Sequence, residues 1–166
     1  MGTISTKTHR QSPQHLSALL VSLAVVVAVA ALGGFVSADA AADYDKLAQP
    51  SWGPPNYLIG PIWGVLYLMM ALAAWLVWRA DPRWRSPAII AYGVQLALNL
   101  VWSALFFGLG WRGLALLDVL LLDVAVAITI AAFWKVRRAA AFLMMPYLAW
   151  ILIATVLNYY VWSMNS

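Results

Sequence analysis

Five apolar runs, each long enough to cross a lipid bilayer, constrain this chain more than any other feature. A helix needs about 20 apolar residues to span the roughly 30 Å hydrocarbon core. The runs cover residues 16–36, 57–78, 87–108, 114–134 and 139–162. Charged residues make up only 10% of the 166 residues, against about 25% in soluble domains. The sequence therefore predicts an all-α integral membrane protein, with a polar tail at 1–15 and one five-helix domain at 16–166.

The first run has a rival interpretation as a secretory signal peptide. Ala38, Asp39 and Ala40 resemble the small-residue cleavage site of such peptides. The apolar core of a signal peptide is about 7–15 residues long, however, and this run is longer. The length favours an uncleaved membrane span.

Positive charge is concentrated at one end of the predicted bundle. If the N-terminus lies inside, the inside segments hold eight of the ten basic residues, namely Lys7, Arg10, Arg79, Arg83, Arg85, Lys135, Arg137 and Arg138. The outside segments then hold Lys46 and Arg112. Because inside loops carry an excess of Lys and Arg, we expect the N-terminus inside and the C-terminus outside.

The chain lacks the residues that several kinds of chemistry require. Without cysteine it has neither disulfides nor thiolate metal sites. Both histidines, His9 and His15, precede the first span, so we expect no metal site and no Ser-His-Asp triad in the membrane. The net charge of +4 is spread over the loops, which gives no indication of nucleic-acid binding. We expect no resident cofactor and no acid–base catalytic pair.

Asp118 and Asp123 are the only ionisable residues well inside a predicted span. An acid at this depth is by default a functional hypothesis. The two lie about 140° apart around a helix, so they cannot form a close pair. A proton relay would also need a basic partner at depth, and the spans contain none. We expect one acid to face a cavity or a neighbouring helix, and the other to be neutral or near the surface.

A segment rich in proline and aromatic residues, 50–67, leads into the second span. It reads P-S-W-G-P-P-N-Y-L-I-G-P-I-W-G-V-L-Y. Pro54 and Pro55 suit the start of a helix, and Trp63 and Tyr67, four residues apart, share one helical face. The segment predicts either a rigid elbow that helps to wall a pocket or an ordinary interfacial anchor, where Trp and Tyr also collect.

Polar and aromatic residues also share one face of the third span and one face of the fifth. In the third span these are Gln95, Asn99, Trp102 and Phe106, and in the fifth Tyr147, Trp150, Ala154 and Asn158. Amides in hydrocarbon need partners. They indicate hydrogen bonds between helices, worth about 0.6 kcal/mol each, or a small-molecule cavity with aromatic walls. The two interpretations can coexist.

The motifs of the loop and spans resemble those of one family when taken together. They are Tyr44 with L-A-Q-P-S-W-G-P-P at 47–55, I-W-G-V-L-Y at 62–67, Y-G-V-Q-L-A-L-N-L-V-W at 92–102, P-Y-L-A-W at 146–150 and A-T-V-L-N-Y-Y-V-W at 154–162. In this order, over five spans, the chain resembles the TspO/MBR family of tryptophan-rich sensory proteins and translocator proteins, also called peripheral-type benzodiazepine receptors.

The resemblance implies a five-helix bundle around a ligand pocket, covered by the loop between the first two helices. It implies binding of porphyrins, such as protoporphyrin IX and haem, and of isoquinoline and benzodiazepine drugs. The pocket positions that it implies are Tyr44, Trp52, Pro54, Ile59, Trp63, Tyr67, Gln95, Asn99, Phe106, Trp150, Ala154 and Leu157. Aromatic walls would stack on the macrocycle, and amides would meet its polar edge.

Three functions follow from the resemblance. The leading one is a receptor or sensor for tetrapyrroles, and the second is a transporter of tetrapyrroles or similar amphiphiles. The third is degradation of porphyrin with light and oxygen, placed at Trp63 and Trp150, since an indole can exchange an electron with a stacked excited porphyrin. Transport requires flux across sealed vesicles, and catalysis requires a defined product.

Several smaller expectations complete the prediction. The loop at 37–55 exceeds the roughly 12–15 residues beyond which loops are usually functional or disordered, and we expect a pocket lid. Gly93 and Ala97 form one small-xxx-small pair, the pattern on which a homodimer is expected.

The sterol motif of mitochondrial members is incomplete, because residues 161–166 contain no Lys or Arg. The short extramembrane segments indicate a bacterial plasma membrane.

Overall fold

The structure is a computed structural model that describes residues 13–37 and 46–165. Over this part of the chain it contains five long α-helices: α1 (Pro13–Ser37), α2 (Asn56–Ala80), α3 (Pro87–Ser103), α4 (Arg112–Val136) and α5 (Arg138–Met164). A π-helical turn, Ala104–Gly108, continues α3. With this turn included, all five helices are long and apolar enough to cross a membrane. The fold is therefore the predicted all-α membrane bundle.

Proline and serine set the starts of two helices. α2 begins directly after Pro54 and Pro55, and Pro55 accepts a hydrogen bond from the Leu58 amide at 2.9 Å. α3 begins at Pro87, and the preceding Ser86 hydroxyl accepts a hydrogen bond from the Ile89 amide, as expected of a helix cap. α1, α2, α4 and α5 each extend by less than a turn beyond their predicted spans, and α3 with the π-helical turn covers its predicted span.

The buried core lies mainly between α2, α3, α4 and α5. The most extensive contacts join α4 to α5, α3 to α4, α1 to α2, and α2 to α5. Among the described side chains of α1, only Val26 is buried, and the Ser22 hydroxyl donates to the Ala71 carbonyl of α2 at 3.0 Å. α1 therefore packs on the outside of the bundle, against α2.

The π-helical turn changes the direction in which α3 presents its last side chains. Its widened turn is closed by the Leu109 amide, which donates to the Ala104 carbonyl five residues earlier at 2.9 Å. Gly110 follows with φ 66°, a conformation that glycine adopts without strain. The turn brings Phe106 and Phe107 side by side, with ring centroids 4.8 Å apart.

Candidate functional site

An aromatic cavity lies between α2, the end of α3, the π-helical turn and α5. Its walls are Pro54, Ile59, Trp63, Trp102, Phe106, Phe107, Trp150, Ile153, Ala154 and Leu157. Its volume is about 30 Å³, the share of one water molecule in the liquid, whereas ligand sites usually enclose about 300–1,000 Å³. The structure thus shows the cavity in a closed form.

Close packing of aromatic rings accounts for the small volume. The Trp102 ring stacks on Phe106 with centroids 5.3 Å apart, and its centroid lies 6.4 Å from that of Trp63. Flat rings at these separations attract one another and exclude water. A ligand larger than a water molecule can enter only if some of these rings turn or a wall moves outward.

The structure brings together most, but not all, of the predicted pocket residues. Seven of them line the cavity: Pro54, Ile59, Trp63, Phe106, Trp150, Ala154 and Leu157. Trp52 does not; it is 49% exposed and packs edge-on against Tyr160, at 5.7 Å. Tyr44 lies outside the described residues.

The other three predicted residues, Tyr67, Gln95 and Asn99, form a polar layer beside the cavity. The Tyr67 hydroxyl donates to Asn99 Oδ1 at 2.7 Å, and the Tyr67 ring lies 5.4 Å from Trp63, a cavity wall. Gln95 is fully buried, and neither of its amide atoms has a hydrogen-bond partner among the described residues. A buried amide without partners is costly, so this layer is suited to bind a polar group.

Asn158 fixes one wall of the cavity from behind. This buried amide accepts a hydrogen bond from Trp102 Nε1 at 3.1 Å and donates one to the Arg112 carbonyl at 2.8 Å. It therefore connects α5 to α3 and to the start of α4. For Asn158, the interpretation as a hydrogen bond between helices is the correct one.

The two intramembrane acids have different surroundings. Asp123 accepts a hydrogen bond from the Thr155 hydroxyl of α5 at 2.9 Å. Asp118 is only 8% exposed, and its Oδ2 has no hydrogen-bond partner among the described residues. Neither acid lines the aromatic cavity, so the cavity walls carry no carboxylate.

The described part of the loop before α2, residues 46–55, lies across the end of α5. The Ala48 amide donates to Asn165 Oδ1 at 3.0 Å, and Asn165 Nδ2 donates to the Ala48 carbonyl at 3.0 Å. Further along, Pro54 forms part of the cavity wall. The loop is thus hydrogen-bonded to the end of α5, packs on α5 through Trp52, and contributes Pro54 to the cavity wall.

Four residues of the site were absent from the predicted set. Trp102 shares a helical face with Asn99 and Phe106, so the spacing contained the signal. Phe107 lies in the cavity because the π-helical turn shifts it there, and regular helical spacing gives no sign of that. Ile153 lines the cavity because α5 packs against α2. Asn165 bonds to the loop because the end of α5 lies beside residues 46–55.

Fold and cavity together define a class: a five-helix integral membrane protein with a closed aromatic cavity between its helices. The family model described as TspO/MBR family matches residues 21–163. The chain belongs to the TspO/MBR family, which confirms the resemblance in its motifs.

Relatives come from all three domains of life. Translocator protein of Homo sapiens is 42% identical over 134 residues, which cover 79% of each chain. Tryptophan-rich protein TspO of Archaeoglobus fulgidus is 35% identical over 150 residues, or 89% of this chain and 97% of that protein. Tryptophan-rich sensory protein of Cereibacter sphaeroides is 37% identical over 122 residues, or 74% of this chain and 76% of that protein.

Proposed function

We propose that this protein is a membrane receptor or sensor that binds porphyrins, such as protoporphyrin IX or haem, in the aromatic cavity. The same site would take isoquinoline and benzodiazepine compounds. The observation that carries the proposal is that Trp63 and Trp150 line one cavity together with Trp102 and Phe106. Such rings stack on a flat macrocycle. Porphyrin is here a ligand and not a resident cofactor.

The polar layer supports an amphiphilic ligand over a purely apolar one. Tyr67 and Asn99 are hydrogen-bonded to each other beside Trp63, and the buried Gln95 amide has no hydrogen-bond partner in the part of the chain that the structure describes. A porphyrin combines an apolar ring with polar edge groups, and it would satisfy both parts of the site.

Binding requires the cavity to open, since about 30 Å³ cannot hold a macrocycle. The loop at 46–55 is the element best placed to move, because it contributes Pro54 to the wall and its hydrogen bonds to Asn165 are exposed. Loops that close over ligands commonly move in this way. We therefore infer that this loop acts as a lid.

The test is a titration of purified protein with protoporphyrin IX, followed by tryptophan quenching and by the shift of the porphyrin absorbance band. Trp63→Ala and Trp150→Ala should each weaken binding by about 1–3 kcal/mol, the range for losing a stacked aromatic ring. Trp134→Ala is the matched control, because Trp134 packs on Phe142 at 5.2 Å and lies outside the cavity. Equal losses in all three variants, or none in the cavity pair, would contradict the proposal.

For the orientation, we propose that the end of the bundle with Arg79, Arg83 and Arg85 faces the inside of the cell. Lys135, Arg137 and Arg138 lie at the same end, since α4 ends and α5 begins there. An excess of positive charge on inside loops supports this orientation. The bacterial plasma membrane remains the predicted location.

A further inference from the structure

A second and much larger concavity lies on the outside of the bundle, at its basic end. It is a groove of about 660 Å³ between α1, α2 and α3, and its volume falls within the usual range of ligand sites. Its walls include Val21 and Val25 of α1, Ala74 and Trp78 of α2, and Gly93 and Leu96 of α3. No wall residue is shared with the aromatic cavity. The groove is therefore a separate, mainly apolar site.

The loop between α2 and α3, residues 81–86, brings an arginine against one of the wall residues of this groove. Trp84 of this loop is one of the groove walls, and the Arg85 guanidinium lies over its ring, 4.2 Å from the centroid. A cation in this position is attracted by the face of the indole. Arg85 therefore lies in contact with a wall residue of the groove.

Arg83, the other arginine of the loop, is already paired. Its guanidinium donates two hydrogen bonds to the Asp81 carboxylate, at 2.7 and 2.8 Å. These bonds hold the pKa of Asp81 below its usual range, so the carboxylate stays ionised at neutral pH and offsets the charge of Arg83. Arg85 forms no ion pair with any residue that the structure describes. Arg85 is therefore the arginine of this loop that is available to an anion.

We propose that the groove binds an anionic phospholipid, with an acyl chain between α1 and α3 and the phosphate beside Arg85. An apolar channel along the helices matches the chain, and a cation against one of its wall residues matches the headgroup. Basic pockets between membrane helices are known sites for anionic headgroups. Trp78 and Trp84 fit the same placement, since tryptophan prefers the depth at which headgroups lie.

Native mass spectrometry of the purified protein tests the headgroup part. The probes are phosphatidylglycerol and phosphatidylcholine with identical acyl chains. We expect the protein to retain phosphatidylglycerol about five-fold more strongly, the equivalent of about 1 kcal/mol for one basic residue. Arg85→Gln should abolish this preference. The matched control is Arg138→Gln, because Arg138 also lies over a tryptophan, Trp134, at 5.5 Å, at the same end but outside the groove.

A second pair of variants tests the groove itself. A Cβ added at Gly93 would meet no atom within 4 Å, and Gly93 lines the groove, so we expect the side chain of Gly93→Leu to extend into the groove. It should reduce retention of both lipids. Gly64 of α2 is equally open but lies outside the groove, so Gly64→Leu should change nothing.

Three results would overturn the proposal. One is equal retention of the two lipids by the unaltered protein. Another is an Arg85→Gln variant that behaves like Arg138→Gln. The third is a Gly93→Leu variant that retains both lipids; if it also splits a dimer into monomers, a second copy of the chain occupies the groove.

Discussion

Asn158 shows how one amide side chain can hold an apolar wall in position. It is fully buried in the bundle, where an amide without partners would be costly. Its two hydrogen bonds, to Trp102 and to the Arg112 carbonyl, satisfy it and fix the Trp102 indole against the cavity. The residue therefore contributes to stability and to the shape of the site at the same time.

We predict that Asn158→Leu lowers the free energy of unfolding by about 1–3 kcal/mol, because two interhelical hydrogen bonds are lost and their partners remain buried. Thermal unfolding in detergent micelles measures this change. Ser163→Ala on the same helix is the control, since the Ser163 hydroxyl bonds only to the nearby Tyr160 carbonyl at an exposed position. Equal stability of Asn158→Leu and the unaltered protein would show that the network contributes nothing.

The spacing of residues along one helix predicts which side chains share a helical face, but not which residues of other helices they contact. It placed Asp118 and Asp123 on different sides of α4, and no hydrogen bond joins them among the described residues. It could not show that Thr155 donates to Asp123, because that contact depends on how α5 packs against α4. Partners on other helices are set by tertiary packing, which the sequence of one helix does not contain.

Among the elements, the loop at 46–55 connects the surface to the cavity. It is anchored by the paired hydrogen bonds between Ala48 and Asn165, and by the Trp52 ring against Tyr160. Exposed contacts of this kind open locally at low cost. We therefore predict that the loop opens while the helices stay packed.

We predict that amide exchange in residues 46–53 slows when protoporphyrin IX is bound, because a ligand in the cavity favours the closed position of the loop over it. Trp52→Ala should speed porphyrin release more than it slows association, since it removes the contact with Tyr160 that holds the loop in this closed position. Stopped-flow kinetics give both rates. Trp111→Ala is the control, because Trp111 is also exposed, at 56%, and lies at the same end of the bundle. Unchanged exchange and unchanged release would identify the loop as a plain connector.

Among the secondary-structure elements, the π-helical turn is the one that the sequence does not predict. The sequence predicts one span at 87–108, and a helix occupies that range. Only the structure shows that its last turn is widened, and this widening moves Phe107 next to Phe106 and into the cavity wall. A period of 3.6 residues cannot anticipate a local change of period.

For the whole molecule, hydropathy was enough to predict the architecture. A chain in lipid must satisfy its backbone polar groups internally, so long apolar runs can only form helices. The closed state of the cavity could not be predicted in this way. It results from how the aromatic rings of the cavity wall pack together, and many ring positions are compatible with the same five spans.

Orientation is a prediction for the whole molecule, and it rests on eight of ten basic residues lying on one side. A reporter fused after Ser166 should be active only on the outer side of the membrane, and one fused before Met1 only on the inner side. The same location for both reporters would contradict an odd number of spans. Exchanged locations would contradict the orientation alone.

The structure of the complex with protoporphyrin IX tests most directly whether the aromatic cavity is the ligand site. We predict that the macrocycle lies between the indoles of Trp63 and Trp150, with the cavity enlarged around it and residues 46–55 closed over it. A macrocycle bound in the groove between α1 and α3, or elsewhere on the bundle, with the cavity still closed at about 30 Å³, would contradict this assignment.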